Sequence, residues 1–483
     1  MITYHRIETS NRTTAYPSSK AAVLRNPLLH GELRHELPET DLNKLIEENI
    51  FKKYGERTAH LLAFEVKAFV SSLSEENRKK FIEVVKAFEM DKEKGNLNQF
   101  IGEIWAGGGM MAIAGSSAGV ALTTIALLVG MNLHSFLGTS AGAFHAATKM
   151  KGCTNSQNLN ETIEAPYHTF PMNRGNLEAW INNILRKAHK TQTGEDVDIV
   201  KLKHMKETGG TFEVMAAELS KKVFPFNYLS PDIFPFFASL KERYEINPDE
   251  FPVAQAIGTT TYFPGLMFNP FDPNFGNHFI VDKKGKRHAA FDPGLASKNR
   301  VPLDSAEEQI KLYKSGKIEK PEIFFTIDYK IPTRSDIKEL KNRGGLPPAQ
   351  KSVNNIDTVI NCIINVTDAV DNLFSEQPFD RLKRLGLQRT FFLTQCARIN
   401  PFTKEISVIR TGDLTSTPKE VSETIVMGGI PTSDFKDSED AVVDELYKAF
   451  VDKDYLKEKR AQLSPYELIL RDIHNSPEML NGA

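Results

Sequence analysis

Apolar residues recur at spacings of three and four between Asp41 and Glu89, through Leu61, Leu62, Phe64, Val66, Phe69 and Val70 and again through Phe81, Val84, Val85 and Phe88. That period predicts amphipathic helices, punctuated at Gly55 and Ser74. Ser74 followed by Glu75 and Glu76 has the chemistry of a helix start: a hydroxyl for a first-turn amide, then acids at the positive end of the dipole. A charged link, Asp91 to Gly95, leads into the least polar part of the chain. Met110 to Met131 is 22 residues without a charge, long enough to cross a bilayer. Gly115, Ser116, Ser117, Gly119, Thr123 and Thr124 dilute its apolarity and no basic cluster flanks it, so a buried helix covering a parallel sheet is the better reading.

Further along, Asn132 to Leu137 reads as a short strand and Ala141 to Met150 as a helix. Cys153 to Arg174 is polar and loop-like, and Trp180 to Lys190 and Phe212 to Lys222 have amphipathic helical spacing. Val223 to Phe237 carries five phenylalanines and three prolines in 15 residues, which rules out an ordinary helix. It suits either a lid or the apolar wall of a ligand site, or an irregular core segment. Pro252 to Ile257 reads as a helix, followed by a Thr-rich bend, an aromatic loop, a turn at Lys284 and Gly285, and a strand from His288 to Phe291 that ends in Asp292. Glu322 to Tyr329 is a sheet strand bounded by prolines, Ile331 to Gln350 a polar excursion, and Ile356 to Phe374 helical in spacing. Arg389 to Ala397 and Glu405 to Arg410 predict a hairpin around Asn400 and Pro401. Ser438 to Gln462 predicts a long charged helix, either closing the fold or reaching for a partner.

Composition narrows the function classes. The 483 residues carry 60 Lys plus Arg against 62 Asp plus Glu, a net charge of -2, which offers no electrostatic footprint for nucleic acid. Three cysteines, Cys153, Cys362 and Cys396, lack metal-ligand spacing, so neither structural zinc nor a disulfide framework is expected. The first twenty residues have no apolar core of a secretory signal, so a cytoplasmic chain, soluble or peripherally membrane-associated, is expected.

Candidate chemistry gathers between Trp105 and Lys151. Gly107, Gly108 and Gly109 open the stretch, and Gly138, Thr139, Ser140, Ala141 and Gly142 close it as a GxSxG elbow, where strand turns sharply into helix and leaves the serine hydroxyl exposed. Gly115 to Gly119 is a second match centred on Ser117, but it lies too close to the glycine triplet for a helix to intervene before a nucleophile strand. Ser140 is therefore the candidate nucleophile, and Ser117 a packing residue. Asp292, at a strand terminus before Pro293 and Gly294, suits either a ligand crevice or an ordinary turn.

In order, the glycine triplet, the Ser140 elbow, the small-residue segment Ala256 to Phe268 and the Asp292-Pro293-Gly294 element resemble the patatin-like phospholipase family over about residues 97 to 329. The resemblance implies an α/β fold of three layers around a mainly parallel central sheet, with helical N-terminal and C-terminal extensions. The corresponding domains would be 1 to 96, 97 to 415 and 416 to 483. It also implies a lipid acyl hydrolase with a Ser140/Asp292 dyad, needing no metal or other cofactor. An oxyanion hole would come from amides of Gly107, Gly108 and Gly109 together with Ala141. The implied partners are a phospholipid or other lipid ester, a membrane surface met peripherally, and, by likeness to exported bacterial members lacking a signal, a host protein activator. Two positions depart from the family: Met111 stands where Arg or Lys is frequent, and Pro293 replaces a glycine and removes one amide. A rival reading is a patatin-fold protein that lost catalysis and binds membranes or partners. A rival mechanism is a triad drawing on His278, His288 or His474, with an acid such as Asp272; His145 points elsewhere on helical geometry.

Overall fold

The computed structural model describes residues 39–53, 56–94, 100–108, 115–151, 174–207, 210–218, 232–262, 280–296, 301–304, 323–329, 390–393, 397–399 and 406–408, with isolated positions between 312 and 317 and between 440 and 452. The chain enters through α1 (Glu39–Ile46), a wider turn (Glu47–Phe51), α2 (Glu56–Ser72) and α3 (Glu75–Glu93). Ser74 caps α3 as its sequence predicts, accepting the Asn77 amide at 3.3 Å. Val66, Phe69, Val70, Phe81, Val84, Val85 and Phe88 are buried, whereas Phe64 is 56% exposed.

The core follows as β1 (Phe100–Trp105), α4 (Gly115–Val129), β2 (Asn132–Gly138) and α5 (Ala141–Met150). Within the uncharged segment Gly115–Val129 is a helix with Leu122, Ile125, Ala126 and Leu128 buried, and among the described residues no helix is long and apolar enough to cross a membrane. The last carbonyls of α4 have no partner within the helix and are met by the N-terminal helices instead. Asn49 Nδ2 donates to Leu128 O at 2.7 Å, Lys92 Nζ to Val129 O at 2.6 Å and Lys53 Nζ to Gly130 O at 3.1 Å. Two cations at a helix C-terminus also complement its dipole, so the helices before the core are fastened to it by charge as well as by packing.

Beyond lie α6 (Arg174–Thr193), α7 (Leu202–Lys206), β3 (Thr211–Glu218), β4 (Asp232–Pro235), α8 (Phe236–Tyr244) and α9 (Val253–Thr260). The remaining strands are β5 (Ile280–Val281), β6 (Arg287–His288), β7 (Ala290–Phe291), β8 (Ile323–Tyr329), β9 (Thr390–Leu393), β10 (Ala397–Ile399) and β11 (Ile406–Val408). A seven-stranded sheet runs in the order β4-β3-β2-β1-β8-β9, with β7 added alongside β3. β3, β2, β1, β8 and β9 are parallel, while β4 and β7 run antiparallel to β3. The fold is therefore α/β with a mainly parallel central sheet.

Several expectations need correction. Phe212 to Glu218 is a strand in the middle of this sheet rather than a helix, and Val214, Met215, Ala216 and Ala217 are all buried. Its Glu, Met and Ala residues favour helix intrinsically, but neighbours on both edges take its backbone hydrogen bonds and override that weak preference. The strand expected from His288 to Phe291 breaks at Ala289 into β6, which pairs with β5, and β7, which pairs with β3. The Thr-rich bend is the end of α9, which runs through Thr260. Only β10 and β11 form the hairpin around Asn400 and Pro401; β9 joins the main sheet beside β8. Within the expected Ser438 to Gln462 helix, Val451 and Asp452 are not helical, and residues 453–462 lie outside the described residues. Val443 and Leu446 are buried, Lys80 pairs with Asp444 at 2.8 Å and the Ser74 amide donates to Asp440 Oδ1, so this segment closes the fold against α3. Residues 223–231 of the phenylalanine-rich run, the loop 153–173 and the segments 331–350 and 356–374 lie outside the described residues; Phe236 and Phe237 at the end of that run are buried in α8.

Glu213 explains how α8 is seated on the sheet. Its carboxylate accepts the amides of Phe237 at 2.7 Å, Ala238 at 2.9 Å and Val214 at 3.0 Å. Although the residue keeps some surface, desolvation of the carboxyl outweighs those amides and raises its pKa to about 7. Glu213→Ala strands helix-start amides without an acceptor. We expect it to cost about 1–3 kcal/mol, read as a lower urea midpoint at pH 4, below the carboxyl's unfolded pKa where ionisation takes nothing from the folded state, with Leu240→Met as a volume-conserving control.

Candidate active site

Ser140 stands where β2 passes into α5 and has φ 53° and ψ -130°. A non-glycine residue held there stores about 1–3 kcal/mol of strain and persists only where its surroundings over-determine it. They do so here. A Cβ on Gly138 would lie 2.4 Å from Ala143 Cα, and one on Gly142 would lie 2.5 Å from the carbonyl oxygens of both Trp105 and Ala106. The two elbow glycines are thus required because β2, α5 and the end of β1 cross in backbone contact. The Thr139 amide donates to Trp105 O at 3.1 Å, Gly142 N to Thr139 O at 2.9 Å and Ala143 N to Ser140 O at 3.0 Å. Ser117, by contrast, sits within the first turn of α4 and on no elbow.

Strand register brings the acid to the same level. β4 takes one edge of β3 at Met215 to Glu218, and β2 takes the other at Thr211 to Val214. β7 must then lie on the β2 side, beyond the end of β2. Prolonged by two residues, β2 would set Ser140 opposite Ala216. Since Phe291 pairs with Ala217 in the antiparallel sense, the next residue, Asp292, comes to Ala216 as well. The Ser140 side chain comes close enough to the Asp292 carboxylate to lower its pKa. The Asp292 amide donates to Tyr262 O at 3.0 Å, and Asp292 Oδ1 accepts Gly294 N at 2.8 Å. Pro293 therefore loses an amide that Gly294 replaces one residue on. Desolvation raises Asp292 to about 6, against the lowering pull of Ser140 and the Gly294 amide.

Gly107 and Gly108 are buried at the end of β1, and a Cβ on Gly107 would lie 3.1 Å from Ser140 Cβ, so the start of the glycine segment passes directly against the nucleophile. Gly109 and Met111 lie outside the described residues. Ala141 opens α5, half-buried beside Ser140. The wall behind the elbow is a buried cluster. Trp105 Nε1 donates to Glu103 Oε2 at 2.9 Å, and the indole stacks on His145 with centroids 5.1 Å apart. Burial, reinforced by Lys149, pushes His145 down to about 3, which makes it a neutral core residue. Glu103 is raised to about 6 by the same desolvation.

The site recruits no histidine among the described residues. His288 turns both ring nitrogens away, Nδ1 to Glu218 at 2.9 Å and Nε2 to Asp282 at 3.0 Å. His278, His474 and Asp272 lie outside the described residues. No group of three or more His, Cys, Asp or Glu able to hold a metal occurs among the described residues.

No family model matches the chain, and no curated protein does. Among solved structures it is similar to human GIVD cytosolic phospholipase A2, with 11% sequence identity and a TM-score of 0.33. The match covers 84% of this chain and 65% of that one, so the chain spans about two thirds of the neighbour's length. A likeness at that level carries no functional argument; the chemistry has to be read from the geometry of the site.

That geometry pairs an exposed-side hydroxyl in a strained turn with a carboxylate that is only 8% exposed and has few competing donors. A buried carboxylate with its pKa raised toward neutrality is a stronger base than an ordinary surface aspartate, which is the property needed to take a proton from serine. Two contributions were not anticipated from the sequence: the Thr260 hydroxyl, which accepts the Ser140 amide at 3.0 Å, and the Tyr262 carbonyl, which holds Asp292. The run of threonines was the available signal, but a run of hydroxyls does not say which one faces the elbow.

Proposed function

We propose that the chain is a lipid acyl hydrolase of the phospholipase A or lysophospholipase kind, built on a three-layer patatin-like fold and working through a Ser140/Asp292 dyad. The observation that carries this reading is a positive-φ serine at a strand-to-helix elbow that strand register sets level with a buried aspartate. Asp292 takes the hydroxyl proton as Ser140 Oγ attacks the ester carbonyl. The tetrahedral oxyanion collapses, expelling the alcohol, which leaves with the proton returned from Asp292, and an acyl-serine remains. Water, deprotonated by the same carboxylate, then releases the fatty acid and restores the hydroxyl. Amides of Gly107, Gly108, Gly109 and Ala141 would meet the oxyanion, and losing one such donor typically costs about 3 kcal/mol of barrier. The dyad itself needs no cofactor. A lipid substrate brings the protein to membrane surfaces peripherally, and a protein activator from a host cell is included in the reading.

A fluorophosphonate probe tests the nucleophile. Wild type and Ser117→Ala are expected to label equally and Ser140→Ala not at all. Fatty-acid release from mixed phospholipid micelles, with and without cell extract, tests the substrate class and any activator together. Labelling that survives in Ser140→Ala, or no labelling of wild type under either condition, overturns the reading in favour of a catalytically silent binding protein.

A further inference from the structure

Two threonines end α9 and a third, Thr261, caps it, and their hydroxyls do different things. Thr259 Oγ1 donates to Gln255 O at 2.8 Å and Thr261 Oγ1 to Ile257 O at 2.8 Å, each turning back onto its own helix. Thr260 reaches out of the helix. Its side chain is fully buried, its Oγ1 donates to Met215 O of β3 at 2.5 Å, and the same oxygen accepts the Ser140 amide at 3.0 Å. With its one proton committed to β3, the hydroxyl presents a lone pair to the elbow, so the direction of the bond from Ser140 is determined. Two residues later, Tyr262 O accepts the amide of Asp292.

We propose that Thr260 is a positioning residue for the nucleophile: a buried hydroxyl that ties the Ser140 amide to β3 and, through the short connection to Tyr262, sets the serine against Asp292. This rests on the hydrolase reading above and deepens it. The tie acts on the residue with φ 53°, at the level of Ala216 where hydroxyl and carboxylate meet. It also occupies the amide of Ser140 below the elbow, which leaves the oxyanion to Ala141 and the glycine segment. Thr260 touches neither substrate nor the reacting atoms. Its effect falls on the chemical step, because a displacement of about 1 Å at a nucleophile can cost about 100-fold in rate.

Thr260→Val keeps the shape and removes the hydroxyl, Thr260→Ser keeps the hydroxyl and removes the methyl, and Thr261→Val is the neighbouring control. Each is labelled with the fluorophosphonate and assayed on a soluble ester, well below its own unfolding temperature. Thr260→Val is expected to label and turn over about 100-fold more slowly at unchanged KM, with its pH profile still inflecting where wild type does. Thr260→Ser should stay within about threefold of wild type, and Thr261→Val should equal it. Should Thr260→Val fail to fold, Thr260→Ala carries the same expectation. Labelling of a folded Thr260→Val at the wild-type rate overturns the proposal. So does a Thr260→Ser as slow as the valine variant, because packing by the methyl would then be the whole effect. If wild type itself is not labelled, the hydrolase reading falls, and this proposal with it, a result distinct from either of those.

Discussion

On the proposed hydrolase reading, Asp292→Asn is expected to lower ester hydrolysis by about a thousandfold and at the same time to make the folded chain more stable at pH 8. The first effect would come from removing the carboxylate that strand register sets beside Ser140, the proposed base. The second comes from linkage. The folded carboxyl is raised from 3.8 to about 6, chiefly by desolvation, so the folded state prefers it protonated. Its contribution is therefore fully present below the unfolded pKa and is lost as pH rises through about 6, on the order of 3 kcal/mol in all. Asparagine never ionises and escapes that loss. Chemical unfolding should show the variant gaining on wild type from pH 4 to pH 8, while kcat/KM of wild type rises over the same interval with an inflection near 6. An asparagine variant that retains most activity, or a stability difference that is flat or reversed in pH, contradicts the assignment of Asp292 as a buried base.

Gly142→Ala produces the largest effect expected from a single methyl. The new Cβ would lie 2.5 Å from two carbonyl oxygens at the end of β1, those of Trp105 and Ala106. Neither is the far end of a flexible side chain, so backbone has to move. Overpacking of this kind costs about 1–3 kcal/mol, and the strand displaced is the one that leads into Gly107 and Gly108. Probe labelling of Ser140 should fall by at least about 100-fold. Gly194→Ala is the useful comparison. Gly194 also has positive φ, +80°, but nothing lies within 4 Å of an added Cβ. It should lose on the order of 1 kcal/mol of stability and no labelling. Equal labelling losses in the two variants would mean that general destabilisation, not the crossing at the elbow, controls the nucleophile.

Both outcomes trace to parts of the molecule that differ in how they could be read. The elbow was legible because its requirements are local: glycines two residues either side of a serine, an apolar strand before it and a small-residue helix after it describe one continuous stretch, and β2 and α5 begin and end close to where that pattern puts them. The Ser74 cap and the turn with Gly285 at φ +80° were legible for the same reason. His145 was set aside on helical geometry, and its stacking on Trp105 bears that out.

What the amino-acid order determined by itself was the set of short-range conformations and the kinds of group they carry: the strained serine, an aspartate at a strand end, an uncharged helix, alternating and periodic apolar faces. Tertiary structure alone decided that Thr211–Glu218 is a sheet strand, that Ala290–Phe291 takes up the line of β2 beyond its end, and that Thr260 rather than Thr259 or Thr261 faces Ser140. The division has a physical cause. Backbone torsions and caps are set by neighbours within a turn or two, whereas a strand edge is satisfied by whichever segment reaches it, and that choice is made by burial and hydrogen bonding across more than a hundred residues of chain.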